Sequence, residues 1–381
     1  MGYPSSFVPR TWITTVALSL AVLVLAGPVA AFSRQDVTIP APDGTPLAAT
    51  LFLPDAPAPA GGRPAVVFMH GLGGDRAGMS ALAQTMGIVG EQYAVLTVDA
   101  RGHGASGGLI GIDGPKEIAD VKAIFAWLAG RPDVADAKIG AWGISLGGGA
   151  AWNSLAAGVP WAALEVVETW TNLQTALVPQ GLAKSGVIAG FLGALAPARV
   201  DPEIFAIRDA AYAGNLSTVP PFAAARSSIG ALRGVRTPVF LMQGRRDFAF
   251  GLDQALQAYA ALGGPKRLWL GLHGHAPSTF PAADSTAMLA EGKSWFDRWL
   301  LGTANGIETS KPVAIAPESW RGSAARFDRP PPPVRRRIAF PGTTRLTSQS
   351  GKAQRSAPRL AAAVEVFGAP RVTVQVNATA G

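Results

Sequence analysis

The feature that most constrains the fold is an alternation of short apolar runs with stretches of helical periodicity between residues 36 and 301. Runs with the length and composition of strands lie at 36–40, 47–53, 65–69, 93–98, 139–142, 163–167, 239–242 and 268–270. Apolar residues at helical spacing lie at 117–128, 146–156, 253–262 and 285–301. The later strands are hydrophobic throughout, which is typical of burial on both faces. The sequence therefore predicts an α/β protein with a mostly parallel eight-stranded sheet between helices.

Two regions depart from this alternation. Residues 172–235 are rich in Ala, Leu and Pro, and we predict that they form a helical cap between the sixth and seventh strands. Beyond the last helix the sequence becomes rich in proline and arginine, with β-type segments at 337–340 and 371–376. One or two strands cannot bury a face of their own. We therefore expect a main domain over 32–303 and a linker with an incomplete C-terminal β-rich domain over 304–381.

The first 31 residues have the organisation of an export signal. Arg10 precedes an apolar run at 12–26, and Val29, Ala30 and Ala31 supply a small-residue cleavage site. We expect cleavage after Ala31 and a secreted or periplasmic protein. An uncleaved membrane anchor is the alternative, although the run is shorter than the roughly 20 residues that span a bilayer.

Composition and charge exclude some kinds of function. The chain has no cysteine, which rules out a thiol nucleophile and a cysteine zinc site. The net charge of +8 arises at the end of the chain, because residues 321–381 hold 11 Lys or Arg against 2 Asp or Glu. The remainder is close to neutral, so we expect no nucleic-acid partner. A weak contact of the basic C-terminal region with anionic surfaces remains an alternative.

The motif that carries chemistry is Gly-Ile-Ser-Leu-Gly at residues 143–147, between a predicted strand and a predicted helix. It resembles the nucleophile elbow of the α/β-hydrolases, in which flanking glycines make room for a sharp turn that presents the serine. Ser145 is therefore the predicted nucleophile. A second match surrounds Ser106, but it lies in a loop with no helix after it. The structural context therefore favours Ser145 over Ser106.

A serine nucleophile needs a base, and the elbow's fold places that base after the nucleophile and after the acid. His70 and His103 precede Ser145, which leaves His273 and His275 in the loop after the eighth strand. We predict that His275 is the base, because it lies deeper in the loop and follows a glycine. His273 is then a structural neighbour.

The acid that orients the base is predicted to be Asp247, which follows the seventh strand and precedes His275. Glu165 or Glu168, after the sixth strand, is the alternative acid, and Asp253 is interpreted as a helix cap. The oxyanion formed during acyl transfer needs backbone donors. The N–H groups of Leu72, in the glycine-rich turn after the third strand, and Leu146, after the nucleophile, are the candidates.

The second half of the catalytic region narrows the resemblance. The resemblance is to the Xaa-Pro dipeptidyl-peptidase and cocaine-esterase family. Its base loop, closing helix and entry to the C-terminal β-sandwich are similar to residues 275–280 (HAPSTF), 295–303 (WFDRWLLGT) and 312–313. Its early sandwich strands are similar to residues 364–370. Members of that family tend to have a tyrosine after the nucleophile and another near the third strand. This chain has Leu146 and the sequence His-Gly-Leu at those places, as generic esterases do.

Together these features predict a serine hydrolase that cleaves small carboxylic ester or amide substrates through an acyl-enzyme, without a metal or organic cofactor. The resemblance implies an α/β-hydrolase domain over 32–303, followed by the start of a β-sandwich. An Xaa-Pro dipeptidyl-peptidase is one alternative function. A non-catalytic envelope protein that uses the same scaffold for binding is the other.

Overall fold

The computed structural model describes residues 32–276, 278, 280–332, 337–345, 354–357, 359 and 372–375. Its strands are β1 Phe32–Pro40, β2 Pro46–Pro54, β3 Arg63–Met69, β4 Ala94–Val98, β5 Val134–Ile144, β6 Ala163–Val167, β7 Val239–Gly244, β8 Lys266–Gly271, β9 Val313–Ile315 and β10 Ala325–Phe327. Its α-helices are α1 Arg76–Thr85, α2 Pro115–Ala129, α3 Leu146–Ala156, α4 Leu173–Leu177, α5 Ser185–Gly193, α6 Pro202–Tyr212, α7 Val219–Ala224, α8 Leu252–Ala261 and α9 Ala282–Phe296.

The strands form one sheet in the order β1-β2-β4-β3-β5-β6-β7-β8-β9-β10. The pairs from β4 to β9 are parallel, whereas β1 pairs with β2, β2 with β4, and β9 with β10 in antiparallel fashion. The predicted mostly parallel sheet is therefore confirmed, and it has two strands more than the eight expected. Strands β9 and β10 lie beyond residue 303, and their three residues each are too few to produce a periodic signal.

Two apolar layers enclose the sheet because successive strand residues point to opposite faces. Val67 of β3 joins the layer beneath α2, α3 and α8, and the next residue, Phe68, joins the layer beneath α1 and α9. Both side chains are fully buried. This burial explains why the central strands read as unbroken hydrophobic runs.

Helix α3 begins and ends where the periodicity predicted, and α8 differs from its predicted range by one residue at each end. Helix α1 was not predicted, because Gly78 and Ser80 weaken its helical signal. It is capped by Asp75, whose side chain accepts a hydrogen bond from the N–H of Gly78 at 2.9 Å. The segment 172–235, predicted to be a cap, contains α4 to α7.

The two ends of the chain leave some predictions open. The proposed signal at residues 1–31 lies outside the described residues. Residues 337–340 and 372–375 are described without strand structure, and much of the remaining C-terminal segment is outside the described part, so the β-sandwich stays a prediction. Among the helices that the structure describes, none has both the length and the hydrophobicity needed to cross a bilayer.

Glu165 of β6 is an unusual element of the layer beneath α9. Its side chain is completely buried, and neither carboxylate oxygen has a hydrogen-bond partner among the described residues. A Cβ atom at Gly292 of α9 would lie 2.6 Å from Glu165 Oε2, so the helix packs directly on the carboxyl group. Burial, followed by the nearby carboxylates of Glu291 and Asp297, raises the pKa of Glu165 well above its ordinary value.

This raised pKa predicts a pH-dependent cost in stability. Between the ordinary glutamate pKa and the raised one, the unfolded chain has released the proton and the folded chain has kept it, so the free energy of unfolding falls as pH rises. Glu165→Gln resembles the protonated side chain and should lose this slope. Relative to the original protein, the free energy of unfolding of the variant should be higher by about 1.4 kcal/mol for each unit of the pKa shift.

Urea unfolding between about pH 5 and about pH 8 measures this difference. The control is Asp55→Asn, which removes a solvent-exposed carboxylate. Parallel pH profiles for Glu165→Gln and the original protein would show that Glu165 does not govern the slope.

Candidate active site

Ser145 lies in a strained turn between β5 and α3. Its φ and ψ angles are 54° and −114°, which places a non-glycine residue in the left-handed half of backbone space. Gly143 and Gly147 make this turn possible. A Cβ atom at Gly143 would overlap the carbonyl of Gly147, and one at Gly147 would overlap the carbonyl of Met69 at the end of β3. The glycines of the motif are therefore required by close backbone packing.

Backbone hydrogen bonds fix Ser145 at the edge of the sheet. Its N–H donates to the carbonyl of Val167 at 2.9 Å, and its carbonyl accepts from Thr169 Oγ1 at 2.7 Å. The hydroxyl takes no part in these two hydrogen bonds. Ser145 Oγ lies 2.9 Å from Nε2 of His275. The structure thus brings together the predicted nucleophile and the predicted base, which are 130 residues apart in the chain.

Asp247 lies on the other side of the His275 ring, with 3.2 Å between Asp247 Oδ2 and His275 Nδ1. Its Oδ1 accepts hydrogen bonds from the N–H groups of Ala249 and Phe250 at 2.8 and 2.9 Å. Its Oδ2 also accepts from Gln243 Nε2 at 2.9 Å. Because these neighbours are all donors, Asp247 is arranged as an acceptor. His275 then carries its proton on Nδ1 and offers the lone pair of Nε2 to Ser145.

A second carboxylate reaches the same histidine. Glu168, at the end of β6, has Oε2 4.0 Å from His275 Nδ1, while its Oε1 is 2.6 Å from His273 Nδ1. Glu168 also has a positive φ of 45°, and its side chain is nearly inaccessible. Burial raises the pKa of Glu168, and the hydrogen bond from His273 acts in the opposite direction. Glu168, one of the two alternative acids predicted from the sequence, thus lies beside Asp247.

The other candidate acids and His273 have different surroundings. Glu165 points beneath α9, on the side of the sheet described above. Asp253 is the second residue of α8 rather than its N-cap, a position held by Gly251. His273 is completely buried and stacks on Phe280 with 5.3 Å between ring centroids. Its contact with Glu168 fits the structural role expected of it.

Ser106, the second serine in a matching motif, is bound on both sides by backbone. Its hydroxyl donates to the carbonyl of Asp99 at 2.7 Å and accepts from the N–H of Ala48 at 2.8 Å. The two early histidines are also internal. His70 Nε2 accepts from the N–H of Ala100 at 3.0 Å, and burial lowers the pKa of His103 to about 4. None of these three side chains contacts Ser145 or His275 in the described contacts.

The two candidate oxyanion donors flank the serine. Leu146 is the first residue of α3, so its N–H has no acceptor within the helix. Leu72 follows Gly71, where a Cβ atom would lie 3.3 Å from the Cβ of Ser145. Leu72, Ser145 and Leu146 line one cavity. The two backbone segments named from the sequence therefore lie at the same cavity as the hydroxyl.

The site also contains a set of possible metal ligands. Ligand atoms of Glu168, Asp247 and His275 lie within 4.8 Å of one another. The oxygens of these carboxylates already accept hydrogen bonds from His273, Gln243 and backbone N–H groups. This arrangement fits a hydrogen-bonded acid–base group better than an open coordination site.

The chain is similar to several known proteins. A family model described as X-Pro dipeptidyl-peptidase (S15 family) matches residues 43–203. An uncharacterized protein of Mycobacterium tuberculosis, Rv2307c, is 36% identical over 132 residues. That alignment covers 33% of this chain and 44% of the relative, so the chain spans less than half of that protein.

Solved structures extend the likeness to most of the described chain. A CocE/NonD family hydrolase from Staphylococcus aureus has a TM-score of 0.59 at 17% identity, covering 78% of this chain and 57% of that one. An acetyl xylan esterase from Paenibacillus sp. R4 has a TM-score of 0.54 at 20% identity, covering 73% and 87%. The esterase Pf2001 of Pyrococcus furiosus has a TM-score of 0.52 at 19% identity, covering 78% and 100%. The chain has the α/β-hydrolase fold. The resemblance predicted from the sequence is confirmed.

Three aromatic side chains that the sequence analysis missed contact the ring of His275. The rings of Phe191, Phe248 and Phe250 lie 5.6, 6.0 and 5.1 Å from the His275 ring. Phe248 and Phe250 lie one and three residues after Asp247, which is a signal that could have been noticed. Phe191 comes from α5, and no local pattern could have placed that helix over His275.

The packing of the elbow predicts a sharp contrast between two glycine substitutions. Gly147→Ala places a methyl group against the backbone of β3, which cannot move without separating β3 from α3, and should lower the free energy of unfolding by about 3 kcal/mol. Gly190→Ala lies within α5, where the new Cβ would meet no described atom within 4 Å apart from its chain neighbours and the backbone of its own helix, and should raise the free energy of unfolding by about 0.5–1 kcal/mol. Chemical unfolding of both variants tests this, and equal effects would contradict the packing account.

Proposed function

We propose that the protein is a serine hydrolase that cleaves carboxylic ester or amide bonds through an acyl-enzyme. The observation that carries the proposal is the continuous contact from Ser145 Oγ to His275 Nε2 at 2.9 Å and from His275 Nδ1 to Asp247 Oδ2 at 3.2 Å. These three groups have the order and roles of a nucleophile, a base and an orienting acid. The hydrolases and esterases among the similar proteins support it.

Acylation begins when Ser145 Oγ attacks the substrate carbonyl carbon and its proton passes to His275 Nε2. The carbonyl oxygen becomes an oxyanion, which the N–H groups of Leu72 and Leu146 stabilise. Collapse of this intermediate breaks the bond to the leaving alcohol or amine, which takes the proton from His275 Nε2. Asp247 accepts the Nδ1–H bond throughout and stabilises the charged imidazole.

Deacylation repeats the sequence with water as the nucleophile. His275 removes a proton from water as the oxygen attacks the acyl carbon, and then returns that proton to Ser145 Oγ. The products are the carboxylic acid and the free enzyme. Every proton transfer involves one nitrogen, and no further cofactor is required by this scheme.

An Xaa-Pro dipeptidyl-peptidase remains the second candidate, because the matching family model carries that description. Such an enzyme needs a group that recognises the free amine of its substrate. Comparison of an alanyl-proline anilide with short acyl esters distinguishes the two functions.

The location and partners of the enzyme are part of the proposal. We propose export through cleavage after Ala31, a hydrolase domain over 32–303 with a cap over 172–235, and a C-terminal region over 304–381. The substrates are small molecules or peptides. The excess of Lys and Arg in residues 321–381 favours weak contact with anionic surfaces.

A fluorophosphonate probe tests the nucleophile with a control that the chain itself provides. The probe should label the original protein and Ser106→Ala, but not Ser145→Ala, because the Ser145 hydroxyl contacts a histidine whereas the Ser106 hydroxyl is bound by backbone. Ester hydrolysis should disappear with the label. Labelling of Ser145→Ala at the original rate would remove Ser145 from this role.

Replacing the orienting acid should act through the tautomer of the base. In Asp247→Asn the amide oxygen keeps the bonds from Ala249 and Phe250, so the NH2 group faces His275 Nδ1 and favours a proton on Nε2. That proton blocks acceptance from Ser145, and kcat for ester hydrolysis should fall by roughly 10²–10⁴-fold. Asp253→Asn, on nearby α8, is the matched control and should retain activity. A loss smaller than tenfold for Asp247→Asn would assign the orienting role to Glu168.

A further inference from the structure

The residues that line the cavity beside Ser145 determine which ligands it can hold. Its volume is about 120 Å³, and its wall is almost entirely carbon. Near the serine, Leu146, Trp170 and Phe250 form one apolar cluster. The wall then continues along α6 through Ile204, in a second apolar cluster, to Ala211, in a third. The cavity therefore extends from the serine into the cap.

We infer that this cavity is the acyl-binding site and that it selects uncharged aliphatic acyl groups of about four to six carbons. The inference rests on the proposed function, because it assigns the acyl side of the bond attacked by Ser145. The substrate class is then a lipophilic carboxylic ester.

The size limit follows from the volume. A protein cavity of about 150 Å³ lined by Leu, Ile and Phe can hold a benzene molecule of six carbons. A cavity of about 120 Å³ therefore has room for a chain of similar or slightly smaller size. Side chains of α6 and α7 line the cavity, so a longer acyl chain would meet these helices.

The charge of the lining opposes a peptide-like substrate. The described lining includes Arg208 as its charged side chain, and no Asp or Glu. Arg208 is engaged by Asp209 at 2.7 Å and lies over the ring of Phe205. A free ammonium group in this cavity would lose its water without gaining a carboxylate, which is a large penalty. Dipeptides with a free amine are therefore disfavoured on the acyl side.

Kinetics with p-nitrophenyl esters from acetate to dodecanoate test the inference. Each buried CH2 group should raise kcat/KM by about fourfold, so hexanoate should exceed acetate by about 10²-fold, and longer chains should show no further rise. The 6-aminohexanoate ester has the same reach with a terminal charge, and it should be at least about tenfold poorer than hexanoate. The inference would be overturned by a flat chain-length profile, or by cleavage of alanyl-proline p-nitroanilide that is faster than cleavage of the hexanoate ester.

Three variants locate the effect. Ala211→Leu fills the far end of the cavity and should lower the hexanoate-to-acetate ratio by about tenfold or more. Ile207→Ala enlarges the same end and should move the optimum to a longer chain. Ala206→Leu is the control: it introduces the same change as Ala211→Leu on the exposed side of α6, and it should leave the chain-length profile unchanged. Equal profiles for all three would place the acyl chain elsewhere.

Two readouts separate failure of this inference from failure of the proposed function. If acetate is cleaved only when Ser145 is present but chain length has no effect, the hydrolase proposal stands and the acyl site is wrong. If no ester is cleaved and no probe labels Ser145, calorimetry with hexanamide still examines the cavity. Saturable binding that Ala211→Leu weakens by about tenfold would support the cavity's selectivity, and lack of binding would refute it.

Discussion

The close approach of β3, β5 and α3 is the constraint on which the rest of the structure depends. Three backbone segments meet at Gly147, where even a methyl group would overlap the carbonyl of Met69. This contact allows the sharp turn in which Ser145 adopts a left-handed conformation. The parallel register then brings the carboxyl ends of β7 and β8 to the same edge, where Asp247 and His275 follow. A local steric condition and a global topology therefore act together.

Two carboxylates around one histidine give the site an asymmetric electrostatic environment. Asp247 is saturated by donors and lies closer to His275, whereas Glu168 is held mainly by His273. Burial raises the pKa of Glu168, which opposes the accumulation of two negative charges beside one imidazole. The positive φ of Glu168 shows that the backbone accepts strain to hold this group in place. Two of the strained non-glycine residues, Ser145 and Glu168, thus converge on His275.

The sequence predicted much of this arrangement because a parallel sheet converts chain order into spatial order. The motif around Ser145 has a fixed geometry, and residues after the seventh and eighth strands must reach the same edge of the sheet. Other features depend on contacts between distant segments. The side chain of Glu168 could not be placed beside Asp247 without the left-handed turn, and Phe191 reaches His275 through the path of the helical segment 172–235. The short strands β9 and β10 are specified by the sheet edge that they join, rather than by their own residues.

The three phenylalanine rings around His275 have a consequence for the fate of an acyl-enzyme. His275 is 5% exposed, and the rings of Phe191, Phe248 and Phe250 cover much of its surface. In the proposed cycle, the water that releases the acyl group therefore reaches the base past apolar ring surfaces.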